Sequence, residues 1–197
     1  MCSNILLIGP LCAGKSTIGQ LLAEKLGLPQ CSMDALPLQY FTELGFDPQR
    51  VEILSETEGW VAVYDYMLEF GVRAIERLLA EYSGHVIDFG APYSIYENDA
   101  LLERVKKAFS PCRNVILLLP SLDLDESTRV VKERMSKRDG HTEIRRILQG
   151  VLRETGVDYE ELYVKHHSNF QLAQVVVYTQ GKTPEQTRDE IIGRLNL

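Results

Sequence analysis

Five short apolar runs punctuate the chain, at residues 4–8, 30–33, 85–89, 114–119 and 174–178, and each has the length of a β-strand. Between them the apolar positions recur at helical spacing, which predicts helices over residues 16–26, 58–82, 100–109, 124–137, 143–155, 159–167 and 184–195. Punctuation supports several of these boundaries. Gly27 and Pro29 stop the first helix, Gly84 stops the second, and Thr183 with Pro184 reads as an N-cap followed by proline at the first helical position. The run Val115-Ile116-Leu117-Leu118-Leu119 has no polar alternation, as suits a strand covered on both faces. Strands alternating with helices therefore predict a three-layer α/β sandwich around a parallel sheet. No repeat or low-complexity linker interrupts the pattern, so residues 1–197 are expected to form one domain. Its extra helices, at about 35–82, would cap the carboxyl ends of the strands, where ligands of such sheets bind.

The chemistry enters at the first strand-to-helix junction. Gly9-Pro10-Leu11-Cys12-Ala13-Gly14-Lys15-Ser16 spells G-x-x-x-x-G-K-S between an apolar strand run and an amphipathic helix, the context a phosphate-binding loop requires. Wrapping phosphate oxygens in backbone N–H groups needs a tightly curled chain, and Gly9 and Gly14 supply that freedom. Lys15 is then expected to bridge the β- and γ-phosphates and Ser16 to ligate Mg²⁺, while Cys12, Ala13, Gly14 and Thr17 line the loop and the positive end of the helix. Asp88 closes the run Val86-Ile87-Asp88 in the manner of a Walker B carboxylate and is a second candidate for Mg²⁺; the same residue also suits an Asx turn before Gly90.

Composition narrows the partners. A 197-residue chain that is 45% hydrophobic and 25% charged can bury a substantial core, and its net charge of −7 argues against a general nucleic-acid surface. Cys2, Cys12, Cys31 and Cys112 lack C-x-x-C spacing and no long apolar run is present, so reduced thiols, a cytoplasmic location and no membrane partner are expected. Oligomeric state is left open. His141, His166 and His167 lack a paired-ligand pattern and read as structural or solvent-exposed, and Tyr93, Tyr96, Tyr159 and Tyr163 read as packing residues.

The stretch Leu6-Leu7-Ile8-Gly9 through Cys12-Ala13-Gly14-Lys15-Ser16-Thr17-Ile18-Gly19, followed by Leu21-Leu22-Ala23 and Leu26-Gly27-Leu28-Pro29, resembles the opening of shikimate kinases, of the nucleoside monophosphate kinase branch of P-loop proteins. The resemblance implies a five-stranded parallel sheet of order 2-3-1-4-5, a mobile lid at about 121–157, and ATP as phosphoryl donor. That family follows the opening with Asp-x-Asp, where this chain has Ser32-Met33-Asp34. Asp34 is thus the candidate for orienting a substrate hydroxyl, with a helix cap as the alternative. The family's Phe-Arg-x-x-Glu segment has its nearest counterpart in Trp60-Val61-Ala62-Val63-Tyr64, without the arginine, and its Gly-Gly-Gly stretch reads Phe89-Gly90-Ala91 here. A hydroxy acid needs a bidentate guanidinium, so these departures put shikimate itself in doubt.

Kinases of this branch cross the nucleotide with a basic lid, and Arg129, Lys132, Arg134, Lys137 and Arg138 crowd the corresponding segment here. Arg134, then Arg138, are the candidates for neutralising transition-state charge, against a solvated helix face paired with Glu126 and Glu133. Residues 178–185 resemble the turn that touches adenine in shikimate kinases, which makes Gly181 and Lys182 base-binding candidates or simply parts of a turn and cap. The expected function is transfer of the γ-phosphoryl group of ATP, with Mg²⁺, to a hydroxyl of a small metabolite. The alternatives are a nucleoside or nucleotide kinase, for which Arg50, Arg73 and Arg77 would serve, and a nucleotide-gated binding protein without turnover.

Overall fold

The computed structural model describes residues 2–137 and 143–195. Its centre is a five-stranded sheet of β1 (Cys2–Ile8), β2 (Gln30–Ser32), β3 (Val86–Asp88), β4 (Cys112–Leu119) and β5 (Val175–Tyr178). All four strand pairings are parallel and the order is β2-β3-β1-β4-β5. Parallel neighbours need crossover connections, and helices supply each of them. The chain runs through α1 (Lys15–Leu26), α2 (Leu38–Thr42), α3 (Pro48–Thr57), α4 (Trp60–Glu81), α5 (Asp99–Phe109), α6 (Leu124–Ser136), α7 (Glu143–Thr155), α8 (Tyr159–Lys165), α9 (His167–Leu172) and α10 (Pro184–Ile192).

The unbroken apolar strands follow from burial on both faces. Leu6 and Ile8 of β1 and Val115, Leu117 and Leu119 of β4 join the core beneath α4 and α5, whereas Ile5, Leu7, Ile116 and Leu118 face α1 and α10. Alternate side chains of a strand point to opposite faces, so both sets must be apolar. Full burial of each Leu, Ile or Val contributes about 1.5–3 kcal/mol, which makes this central pair of strands the rigid base of everything above it.

Register then sets the upper edge. Ser32 lies beside Asp88, and Asp88 beside Leu7, so β2, β3 and β1 end level with one another immediately below the phosphate loop.

Several helix starts are written locally. Asp47, Asn98, Asp123 and Asp158 accept first-turn amides of α3, α5, α6 and α8, and Thr183 with Gln186 forms a reciprocal capping box on α10. Three expectations change. The helix expected over 159–167 ends at Lys165, because His166 leaves helical geometry (φ −62°, ψ 133°) and its Nδ1 accepts the Ser168 amide to start α9. The last helix stops at Ile192 instead of 195. Cys112 is disulfide-bonded, against the expectation of reduced thiols, while Cys12 and Cys31 are free; backbone register sets Cys112 beside Cys2, a proximity that sequence spacing does not reveal. Among the described residues, no helix is long and apolar enough to cross a membrane.

Candidate active site

The loop between β1 and α1 has the backbone its sequence demands. Gly9 has φ +134°, and a methyl there would lie 2.4 Å from the Leu118 carbonyl oxygen, so only glycine lets the loop leave β1 against the end of β4. Cys12 is the one described non-glycine residue with positive φ, at +56°, a strained position where the loop turns. Gly14, at φ +94°, starts α1, and no side chain caps that start, which is the anion-receptive form of a helix N-terminus. Lys15 is 8% exposed, and its ammonium donates to the carbonyls of Gly9 (2.9 Å) and Pro10 (2.7 Å), folded back along the rim of the loop.

Directly below, Asp88 is 1% exposed and its carboxylate gathers three neighbours. Ser16 Oγ and Ser32 Oγ each donate to Oδ1 at 2.9 Å, and Gln30 Nε2 donates to Oδ2 at 3.0 Å. Gln30 also reaches the Ser16 carbonyl at 3.1 Å, and Gly19 makes room for it, since a methyl there would stand 2.9 Å from Gln30 Nε2. The level ends of β2 and β3 thus tie the α1 hydroxyl to the buried carboxylate. One hydroxyl and one carboxylate, with phosphate and water oxygens completing the shell, is a donor set suited to Mg²⁺, which keeps several waters and takes few protein ligands. Among the described residues, no cluster of three or more His, Cys, Asp or Glu could hold a metal. Neither Gln30 nor Ser32 belongs to a motif that marks it in the sequence; their place beside Asp88 depends on register.

Beside the loop is a cavity of about 220 Å³ lined by Ala13, Gly14, Thr17, Arg134, Thr179 and Lys182, among others. Arg134 closes one side, its guanidinium donating to the Cys12 carbonyl at 3.0 Å. Lys182 is held by the Tyr178 carbonyl and Glu190, and Gly181 turns the chain at φ +76°. Thr179 Oγ1 is buried with no hydrogen-bond partner among the described residues, and such a hydroxyl at this wall fits a polar ligand. Arg138 and His141 lie outside the described residues. Arg129, Lys132 and Lys137 pair with Glu126, Asp158 and Glu133.

Asp34 sits in a short turn after β2, against Gly90. A methyl on Gly90 would fall 2.1 Å from Asp34 Oδ1, so the remaining glycine of the altered Gly-Gly-Gly stretch is what admits this carboxylate. Tyr93, three residues after Gly90, has its hydroxyl pushed above the ordinary range by burial and then by the Asp34 charge. Tyr93 also walls a second cavity of about 500 Å³ with Phe41, Phe46, Met67, Phe70 and Trp60.

Helix α7 closes over this second cavity and is locked to the start of α4. Glu154 accepts the backbone amides of Trp60 (2.7 Å) and Val61 (3.2 Å), a cap on a helix whose own N-cap, Gly59, has no side chain. The Trp60 indole lies against Gly150, and Arg146 stacks over its ring at 5.3 Å. Arg146 and Glu154 were missed from sequence, because their partner lies more than eighty residues away. Arg50, Arg73 and Arg77, considered as acceptor ligands, pair instead with Glu58, Glu69, and Glu43 together with Glu81. His166 is buried between Ser168 and Glu97 as a structural residue.

No protein-family profile matches the chain. It is similar to the shikimate kinase of Persephonella marina, 27% identical over 192 residues that cover 98% of this chain and 98% of that one. It is also similar to the shikimate kinase of Streptomyces coelicolor, 28% identical over 193 residues, covering 98% and 95%. In solved structures it shares the fold of shikimate kinase from Acinetobacter baumannii, in complex with shikimate, at a TM-score of 0.57 and 19% identity, covering 98% of this chain and 93% of that one. The likeness read from the first thirty residues therefore extends nearly end to end, and the sheet order 2-3-1-4-5 is the one it implied.

Proposed function

We propose that this small-molecule kinase uses ATP and Mg²⁺ to phosphorylate a hydroxyl of a metabolite. The observation that carries the reading is the convergence of Lys15, Ser16 and Asp88 at one sheet edge, with Arg134 reaching across to the Cys12 carbonyl. Loop amides and the uncapped start of α1 receive the phosphates, and Lys15 exchanges the Gly9 and Pro10 carbonyls for β- and γ-phosphate oxygens. Ser16 and Asp88 would hold Mg²⁺, which when bound would neutralise phosphate charge. Residues 121–157 act as the lid, and Arg134 within them offsets charge that develops on the transferring group. Gly181, Lys182 and Thr179 border the nucleoside end.

Asp34 orients the acceptor hydroxyl. As the new bond to phosphorus forms and the bond to ADP breaks, the hydroxyl proton passes to the Asp34 carboxylate. The close approach of the Asp34 carboxylate to Gly90 favours a kinase over a nucleotide-gated binder, since a protein that only closes on ATP has no use for a second carboxylate there. Asp34→Asn separates the two: acceptor phosphorylation should fall at least about a hundredfold while ATP affinity stays the same. Equal loss of ATP binding would remove Asp34 from this role.

A further inference from the structure

The cavity walled by Tyr93, whose hydroxyl feels the Asp34 charge, has walls of the wrong chemistry for a polyhydroxy acid. Phe41, Phe46, Val51, Met67 and Phe70 face it from α2, the α2–α3 connection, α3 and α4, and Trp60 and Tyr93 close its ends. Phe46 stacks on Tyr66 (centroids 5.4 Å, planes 28°) and meets Phe70 edge-on, so the aromatic wall is braced from behind. Its polar groups come from Glu52, Ser55, Tyr93, Arg146 and the Trp60 indole, set among a larger apolar wall. Arg146 lies on the Trp60 ring, and Glu52 opposes any acceptor carboxylate. A hydroxy acid would leave most of its hydroxyls against carbon, each without a partner, a cost that discriminates strongly between ligands. A flat ring instead buries its faces on such walls and gains offset or edge contacts.

We propose that this cavity takes an uncharged aromatic ring of the acceptor, so that the preferred substrate is a neutral ring-bearing alcohol of about nucleoside size, its hydroxyl presented to Asp34. The proposal rests on the kinase reading above. The volume of about 500 Å³ accommodates such a body and exceeds what a single small hydroxy acid fills. Nucleoside monophosphates fit less well, because Arg50, Arg73 and Arg77 are occupied by carboxylates.

Trp60 is the only tryptophan in the chain and lines this cavity, so its emission reports occupancy directly. Adenosine, 2-phenylethanol, shikimate and gluconate are titrated against the full chain, first without nucleotide and then with MgATP, with phosphorylated product read by mass spectrometry. The expected result is a saturable emission change with a ring compound, and kcat/KM for it at least about tenfold above that for shikimate or gluconate. Phe46→Ala should lower the ring compound's kcat/KM about tenfold and leave KM for ATP unchanged. Preferred turnover of shikimate or gluconate would overturn the proposal while leaving the kinase reading intact, as would failure of both ring compounds to move Trp60 emission. Saturable ring binding without any phosphorylated product would uphold the cavity's preference and count against the kinase reading alone.

Discussion

Gly150→Ala probes the contact that locks α7 to the acceptor side. The added methyl would stand 2.2–2.5 Å from three atoms of the Trp60 indole, whereas carbon atoms rest about 3.5–4.0 Å apart. The ring must therefore retreat by about 1 Å or α7 must lift, and overpacking of this kind costs about 1–3 kcal/mol. Alanine in a helix interior recovers up to about 1 kcal/mol of that through propensity. In the wild-type background the net effect should be a loss of about 0–3 kcal/mol, with Trp60 emission shifted to the red. In a Trp60→Ala background the clash is gone and the same substitution should stabilise by about 0.5–1 kcal/mol. Urea denaturation followed by far-ultraviolet circular dichroism measures both legs of the cycle. An equal effect of Gly150→Ala in the two backgrounds would refute the indole-on-glycine lock.

Three further outcomes follow from the same geometry. Asp88→Asn replaces one of the two acceptor oxygens with an amide donor facing Ser16, Ser32 or Gln30 donors, so it should cost about 1–3 kcal/mol of stability and remove Mg²⁺-dependent turnover, checked by thermal unfolding and an ADP-release assay. Glu154→Ala uncaps α4 and should cost about 0.5–2 kcal/mol, while Glu154→Gln, which keeps an acceptor oxygen, should cost less; urea melts rank the pair. Burial holds the His166 imidazole below its ordinary value, outweighing the nearby Glu97 charge, and Nδ1 must stay unprotonated to accept the Ser168 amide. Because the folded value is depressed, this stabilisation is complete above about pH 6.5 and is lost as pH falls through the folded value. His166→Gln should flatten the fall in melting temperature between pH 7 and pH 5.

Much of the architecture was legible because it is local. Apolar runs without alternation gave the two-sided sheet, and the glycine spacing of residues 9–16 marked the phosphate loop in its strand-to-helix context. Asp88 and Asp34 stand out by their places at strand ends, and the structure brings Ser16 and Asp88 together and sets Asp34 against Gly90. What escaped depends on distant partners. Apolar spacing runs straight through residues 159–172, and only the packing of His166 against Ser168 and Glu97 explains the break between α8 and α9. Asp47-Pro48 was a readable helix start for α3 that the broad 35–82 segment obscured. Gln30, Glu154 and Arg146 carry no motif, since register and helix docking alone bring them to Asp88 and Trp60. The cavity wall likewise draws on segments scattered from α2 to α7.

Phosphoryl transfer by the Lys15, Ser16 and Asp88 centre is open to direct assay as Mg²⁺-dependent ADP release from ATP. Wild-type protein is assayed with and without a panel of shikimate, other hydroxy acids, sugars, nucleosides and nucleoside monophosphates, beside Lys15→Ala. The expected result is ADP release that one acceptor class stimulates, that chelation of Mg²⁺ abolishes, and that Lys15→Ala lacks. Saturable ATP binding with no acceptor-stimulated release, or stimulation that persists in Lys15→Ala, would contradict it.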